Sequence, residues 1–129
     1  MNPISDKVLT GSVGELLVQI RLLQYGVQAA PPIEDSGNDL IAVNGTEFRA
    51  ISVRTTRSGN YNKPPQERTY HVLAVVHLRG DDRELHLDDT DIYLIPQEDI
   101  VGAPTRCDRL GAYQFSREQV QRLFGQLPA

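Results

Sequence analysis

Three polar side chains between residues 39 and 54 have the types and spacing of a site for a metal ion and a phosphate group. Asp39 is a carboxylate at the start of a short apolar run, and Ser52 and Arg54 stand near the end of the next run. Side chains two residues apart project from the same face of a β-strand, so Ser52 and Arg54 are expected side by side. A carboxylate suits a hard divalent cation, and arginine binds phosphate through its planar fork.

A β-hairpin is the element that must position these side chains. The stretch from Asp39 to Thr56 consists of two apolar runs joined by Asn44-Gly45. This dipeptide between alternating hydrophobic residues is a strong hairpin signal. A turn over Ser36-Gly37-Asn38 precedes it, so Asp39 is expected at the mouth of the first strand.

A helix is predicted for residues 12–25, before the hairpin. Ser12 and Glu15 have the spacing of a capping box, and Gly26 is a natural terminator. One stripe at helical spacing contains Val13, Leu16, Leu17, Ile20 and Leu23, and Val18 and Leu22 lie on the other side. A helix that is apolar on most of its circumference is covered twice, by the sheet and by another surface. A homodimer through this first helix is therefore expected, and Glu15 could serve only as the cap.

Residues 57–69 form a polar segment without periodicity, long enough for a functional loop. The protein carries a net charge of −4, yet from Arg49 to Arg68 five basic residues stand against one acidic residue. A basic segment on an acidic protein suits a phosphate-facing surface, although a solvated loop has the same composition. The candidate DNA contacts in it are Arg57, Tyr61, Lys63 and Arg68. The acidic residues concentrated between 81 and 99 are expected on a solvated face, with a protein-contact surface as the alternative.

Length and composition favour one domain over residues 1–129. No apolar run approaches the about 18 residues that a membrane span requires. The sequence begins without a secretory signal pattern. Its single cysteine, Cys107, cannot form an internal disulfide, which suits a cytoplasmic location.

The remaining pattern predicts strands and a second helix. Residues 70–78 are the most continuous apolar run and should form a central strand. His71 and His77 in this run are expected as core or edge residues, because they lack further ligands at zinc-site spacing. Residues 91–96 form another strand and residues 116–126 another helix. The fold class is therefore α/β or α+β, with a mixed central sheet of four to six strands flanked by helices.

The order of these motifs resembles the PD-(D/E)XK nuclease superfamily, above all its restriction-endonuclease-like and Holliday-junction-resolvase-like members. The similar features are Gly14-Glu15 in an early helix, Asp39-Leu40-Ile41 after a turn, and a strand that ends in SVRTT. The resemblance covers roughly residues 11–96. It implies a Mg²⁺-dependent DNA phosphodiesterase in which Glu15 and Asp39 bind the metal and in which double-stranded or branched DNA is the partner.

Two catalytic positions depart from the family pattern. The resemblance places Ser52 where the family has Glu or Gln, and Arg54 where it has Lys. A serine hydroxyl is a shorter and weaker metal ligand than a carboxylate, and arginine cannot lose a proton near neutral pH. Two functions follow: a Mg²⁺-dependent endonuclease, or a catalytically inactive module that kept the nuclease fold for DNA-binding or protein–protein assembly. Any Mg²⁺ binding is expected to be weak.

Overall fold

The computed structural model describes residues 3–34, 38–81 and 84–128. Ser36 and Gly37 of the expected turn, and Asp82 and Arg83 of the acidic stretch, lie outside these ranges. The helices and strands in chain order are α1 (Asp6–Leu23), β1 (Gln28–Ala30), β2 (Leu40–Asn44), β3 (Glu47–Thr56), β4 (Val72–His77), β5 (Asp91–Pro96) and α2 (Arg117–Phe124).

The five strands form one mixed sheet in the order β1-β2-β3-β4-β5. All neighbouring pairs are antiparallel except β3 and β4, which are parallel. The expected fold class, a mixed sheet of four to six strands with helices, is confirmed. A parallel pair needs a crossover connection of about a dozen residues or more, and residues 57–71 provide it. The long polar segment therefore has a topological role.

The two faces of the sheet are covered differently. Both helices pack on one face, which we call the helical face, and its buried residues include Val18 and Leu22 of α1 and Val120 and Phe124 of α2. The opposite face, the loop face, is covered by the crossover and by residues 97–115, which contain short 3₁₀ turns. Its buried residues include Tyr61, Tyr70, Leu73, Val75, Cys107 and Leu110.

Helix α1 begins earlier than the capping-box pattern predicts. The Ser5 hydroxyl accepts a hydrogen bond from the Val8 amide at 3.2 Å, so Ser5 is the N-cap and the prediction of Ser12 is wrong. The end is as expected, because Gly26 follows the helix with a φ of 82°, a conformation that glycine adopts without steric cost.

The side of α1 that packs on the sheet contains Gly14, Val18 and Leu22. The side chains of Leu16, Ile20 and Leu23 are instead 56%, 61% and 60% exposed. The larger apolar stripe therefore faces away from the sheet. Neither helix in the described residues has the length and apolar character that crossing a bilayer requires.

The β2–β3 hairpin is confirmed, with a small shift of its turn. Asn44 pairs with Glu47, so Gly45 and Thr46 form the loop. Gly45 has a φ of 63°, whereas Thr46 is not in the positive-φ region. This combination fits a type II′ turn, which takes glycine at the first central position. The Asn44 amide donates hydrogen bonds to the carbonyl oxygens of Phe124 and Gln126 at 2.9 and 3.0 Å, and so ties the hairpin to the end of α2.

Candidate functional site

A cavity of about 660 Å³ lies between the N-terminal half of α1 and the carboxyl end of β3. We call it the α1–β3 cavity. Glu15 of α1 and Arg54 of β3 both line it, together with Val53 and Arg57. Two of the four predicted site residues are therefore brought to one cavity from two separate elements.

The close approach of α1 to β3 depends on Gly14. A Cβ atom at this position would overlap the hydroxyl group of Thr55, and only glycine leaves room for the contact. Thr55 follows Arg54 in β3, and Glu15 follows Gly14 in α1. The glycine contact thus fixes the segment of α1 that carries Glu15 against the segment of β3 that carries Arg54.

Asp39 lies at the start of β2, next to the wall of the cavity and outside its lining. Its Oδ2 atom accepts a hydrogen bond from the Val53 backbone amide at 2.7 Å. Leu40 pairs with Ile51, so continuing the antiparallel register places Asp39 opposite Ser52. Asp39 and Ser52 therefore lie side by side on neighbouring strands. The carboxylate has a structural role in satisfying the amide of Val53.

Ser52 and Arg54 share the loop face, as the period of two predicts, because their neighbours in β4 are Leu73 and Val75 of the loop-face core. Ser52 is 1% exposed. Within the described residues, its Oγ atom and the Arg54 Nε atom are buried without a hydrogen-bond partner. Buried polar atoms are usually satisfied, so these two atoms are exceptions, and of the two residues Arg54 lines the α1–β3 cavity while Ser52 does not.

The charge of Arg54 also acts on Tyr70, a buried neighbour. Burial raises the pKa of the Tyr70 hydroxyl above its ordinary value of 10.0, and the nearby Arg54 guanidinium opposes that rise. Arg54 thus projects its charge into a partly buried region, where electrostatic interactions are stronger than in water.

The described residues fit a Mg²⁺ site poorly. Among them, no group of three or more His, Cys, Asp or Glu side chains could hold a metal ion. Of the two predicted metal ligands, only Glu15 lines the cavity, while one oxygen of Asp39 accepts the Val53 amide. Mg²⁺ requires oxygen ligands in near-octahedral geometry, and this arrangement supplies few of them from side chains.

The predicted DNA contacts of the crossover separate into different environments. Arg57 is exposed at the cavity, and its Nε donates a hydrogen bond to the Thr10 hydroxyl at 3.1 Å. Lys63 donates to the Val101 carbonyl oxygen at 3.2 Å, and Arg68 is exposed. These three basic residues remain candidates for contact with a phosphate backbone.

Tyr61 is not the exposed side chain that the sequence suggested. It is 5% exposed, and its hydroxyl donates a hydrogen bond to the Pro104 carbonyl oxygen at 2.6 Å. Burial, helped by the nearby Cys107, raises the pKa of Tyr61 to about 12. The ring of Tyr61 belongs to the loop-face core and also lines the α1–β3 cavity, so its role as a DNA contact stays a prediction.

Among the residues that line the cavity, Lys7 and Thr10 were missed by the sequence analysis. Both were placed before the helix because the start of α1 was predicted too late. The signal that could have found them is Ser5-Asp6, a cap residue followed by an acid in the first turn, where negative charge is favourable.

The fold and the geometry above can be compared with known proteins. A solved structure of a bacterial homing endonuclease, I-Ssp6803I, matches 92% of this chain and 90% of its own chain, with a TM-score of 0.61 and 17% sequence identity. The chain shares its fold with this structure. No protein-family model and no curated protein matches the sequence. At 17% identity the likeness concerns the fold alone.

The histidines of the predicted central strand lie in different surroundings. His77 is 9% exposed, and burial, with help from the nearby Arg79, lowers its pKa below 6.5. His71 is exposed, and its Nδ1 atom accepts a hydrogen bond from the Ala50 amide at 2.9 Å. Neither histidine has a metal-ligand group around it in the described residues.

His77 should make the fold sensitive to acid. Its pKa is lower in the folded state than in the unfolded state, so the unfolded chain takes up a proton first as the pH falls. The contribution of His77 to the free energy of unfolding is fully present above its ordinary pKa of 6.5. This contribution is lost as the pH falls from 6.5 through the folded-state pKa. Urea unfolding of His77→Gln between about pH 7 and about pH 5 should show a smaller loss of stability than the wild type. His86→Gln, at an exposed histidine, is the matched control, and equal losses in wild type and His77→Gln would contradict this role.

Proposed function

We propose that the chain binds double-stranded DNA, with a phosphodiester group of the backbone in the α1–β3 cavity. The observation that carries the proposal is that three basic side chains, Lys7, Arg54 and Arg57, line this one cavity. The likeness of fold to a protein named as a homing endonuclease supports a nucleic acid as the partner.

Arg54 is the central contact in this proposal. Arg54 lines the cavity, and its planar guanidinium can donate hydrogen bonds to a phosphate oxygen there. Charge-assisted hydrogen bonds from arginine to phosphate are short and about twice as strong as neutral ones.

The acidic net charge does not oppose this binding mode. The cavity is lined by three basic residues and by Asp6 and Glu15, so the ionised groups around it leave a local excess of positive charge. Association with DNA depends on the local potential near the phosphate. Lys63 and Arg68 in the crossover are two further basic candidates for contact with the phosphate backbone.

Alanine at Arg54 should weaken DNA binding by roughly tenfold or more, because a hydrogen bond to a charged group contributes about 1.5–3 kcal/mol and 1.4 kcal/mol is a factor of ten. Fluorescence anisotropy with a labelled duplex measures the change. Arg109→Ala, at an exposed arginine outside the cavity lining, is the matched control. An affinity for Arg54→Ala equal to that of the wild type would remove the cavity from the proposal.

Cleavage of the phosphodiester bond is the second candidate function, and it keeps the finer assignment to the PD-(D/E)XK class. One observation favours it. Glu15 and Arg54 line the cavity, and Asp39 accepts a hydrogen bond from the amide of Val53, which also lines it. Against it stands the poor fit of the side chains to Mg²⁺. We therefore place DNA binding without a dedicated metal site first.

Magnesium separates the two candidates. A ligand that binds only the folded state must raise its stability. Without a metal site, millimolar Mg²⁺ is expected to give the same Tm as NaCl at equal ionic strength. Plasmid and branched DNA should remain intact in Mg²⁺ or Mn²⁺. A rise in Tm that disappears in Asp39→Asn, together with DNA cutting that the same variant abolishes, would establish the nuclease instead.

A further inference from the structure

An apolar seam runs along the side of α1 that faces away from the sheet. It consists of Leu9, Val13, Leu16, Ile20 and Leu23, which follow one another at intervals of four, three, four and three residues. Leu9, Leu16, Ile20 and Leu23 are 39–61% exposed, whereas Val18 and Leu22 on the sheet side are fully buried. Contiguous exposed apolar side chains on one helix are typical of an interaction surface.

The spacing of the seam is that of a heptad repeat. With Val13 and Ile20 at the a positions, the d positions are Leu9, Leu16 and Leu23. β-branched residues at a combined with leucine at d favour two parallel helices over higher assemblies. The helix that best complements this pattern is therefore a second copy of α1.

The residues beside the seam also favour an identical partner. The flanking e positions hold Thr10, Leu17 and Gln24, and the g positions Ser12 and Gln19. Charges at these positions normally select or reject a partner. Since all five are uncharged, these flanking positions bring no like-charge repulsion between two copies, and a charged partner helix would find no opposite charge at them. The a position one heptad before Val13 is Asp6, so the apolar seam begins at Leu9.

We propose that the seam of α1 is the interface of a parallel homodimer in which the α1 helices of two copies pack side by side about a twofold axis. The seam covers only about two heptads, so the dimer is expected to dissociate on dilution. The dimer stands independently of DNA binding. If the proposed function also holds, the parallel arrangement places both α1–β3 cavities at the same end of the helix pair, because Lys7 and Thr10 of the same helix line each cavity.

Sedimentation velocity of the full chain over a range of concentrations tests the interface. The wild type should form a dimer, and Leu16→Glu should be a monomer, because the substitution puts two like charges at facing d positions. Leu16 is exposed, so the variant should fold. A Tm close to that of the wild type checks this. Val101→Glu, at an apolar residue 74% exposed outside α1, is the matched control and should remain a dimer.

Mixing two monomeric variants provides a readout that a folding defect cannot produce. Leu16→Glu and Leu16→Lys should each be monomers alone and should form a heterodimer together, since residue 16 faces its own counterpart. A wild type that stays monomeric at the highest concentration, or a Leu16→Glu protein that remains a dimer, would overturn the interface.

Disulfide trapping tests the orientation. Leu23→Cys should oxidise to a covalent dimer because position 23 faces itself in a parallel pair, while Val101→Cys should not. Cys107 does not interfere, since it is 1% exposed and burial raises its pKa. If Leu23→Cys is trapped only when mixed with Leu9→Cys, the helices are antiparallel and the parallel arrangement is wrong.

Discussion

Replacing Gly14 with alanine is expected to lower the free energy of unfolding by about 1–3 kcal/mol, the usual cost of forcing an extra group into a packed site. The added methyl group would overlap the Thr55 hydroxyl, and the Thr55 Cβ atom also lies only 2.9 Å away. Threonine is stiff at χ1, so the side chain cannot turn aside without moving its strand. Helix α1 must then separate from β3, and the α1–β3 cavity changes shape.

The control for this prediction lies one turn earlier in the same helix. Gly11 has no atom within 4 Å of an added Cβ, so Gly11→Ala should stabilise the protein by up to about 1 kcal/mol through helix propensity alone. Opposite signs for the two substitutions in urea unfolding are the expected result. Thr55→Ala in the Gly14→Ala background should recover part of the loss. Equal stabilisation by both alanines would contradict the close contact of α1 with β3.

Replacing Asp39 with alanine is expected to cost about 1–3 kcal/mol, because it leaves the Val53 amide without its acceptor. This hydrogen bond is 2.7 Å long and joins the mouth of β2 to the neighbouring strand β3. Asp39→Asn keeps an acceptor oxygen and should retain most of the stability. Urea unfolding of the two variants measures the difference, and equal losses would show that the hydrogen bond contributes little.

The same pair of variants determines how an activity experiment can be interpreted. Loss of function in Asp39→Ala alone is explained by damage to the hairpin. Only Asp39→Asn, which preserves the bond to Val53 and removes the negative charge, asks whether that charge serves a ligand. The structural role of Asp39 therefore makes asparagine the appropriate substitution in any test of metal binding.

Local signals predicted the hairpin and its consequences well. The apolar runs around Asn44-Gly45 gave the β2–β3 pair, and the period of two gave the common face of Ser52 and Arg54. The predicted helix over residues 116–126 is α2, and the Ser116 hydroxyl caps it by accepting a hydrogen bond from the Gln119 amide at 3.0 Å. These features depend on residues near one another in the chain, so residue preferences for turns and helix caps predict them.

The side of α1 that meets the sheet could not be chosen from periodicity. Both sides of the helix are apolar, and the stripe with more large side chains is the exposed one. The sheet takes the side with Gly14, because a glycine allows the backbone of α1 to approach Thr55. In the sequence, a close contact between two distant segments is marked only by a glycine. A glycine within a helix has several explanations, so it does not predict this contact.

The burial of Tyr61 was hidden for a related reason. The crossover from β3 to β4 has no periodicity, so nothing in it marks which side chains turn inward. Its acceptor, the carbonyl oxygen of Pro104, lies in another irregular segment. Contacts between two irregular segments depend on the topology of the whole fold. Here the crossover that the parallel pair β3 and β4 requires also covers the loop face.

The salt dependence of DNA binding tests the central claim most directly, because a phosphate contact releases counterions whatever the DNA sequence. The logarithm of the binding constant falls linearly with the logarithm of the salt concentration, with a slope of about −0.9 for each phosphate neutralised. If Arg54 holds a backbone phosphate in the α1–β3 cavity, Arg54→Ala should make the slope less steep by about 0.9, while Arg109→Ala leaves it unchanged. A slope for Arg54→Ala equal to that of the wild type, in a protein that is still folded, would contradict the account.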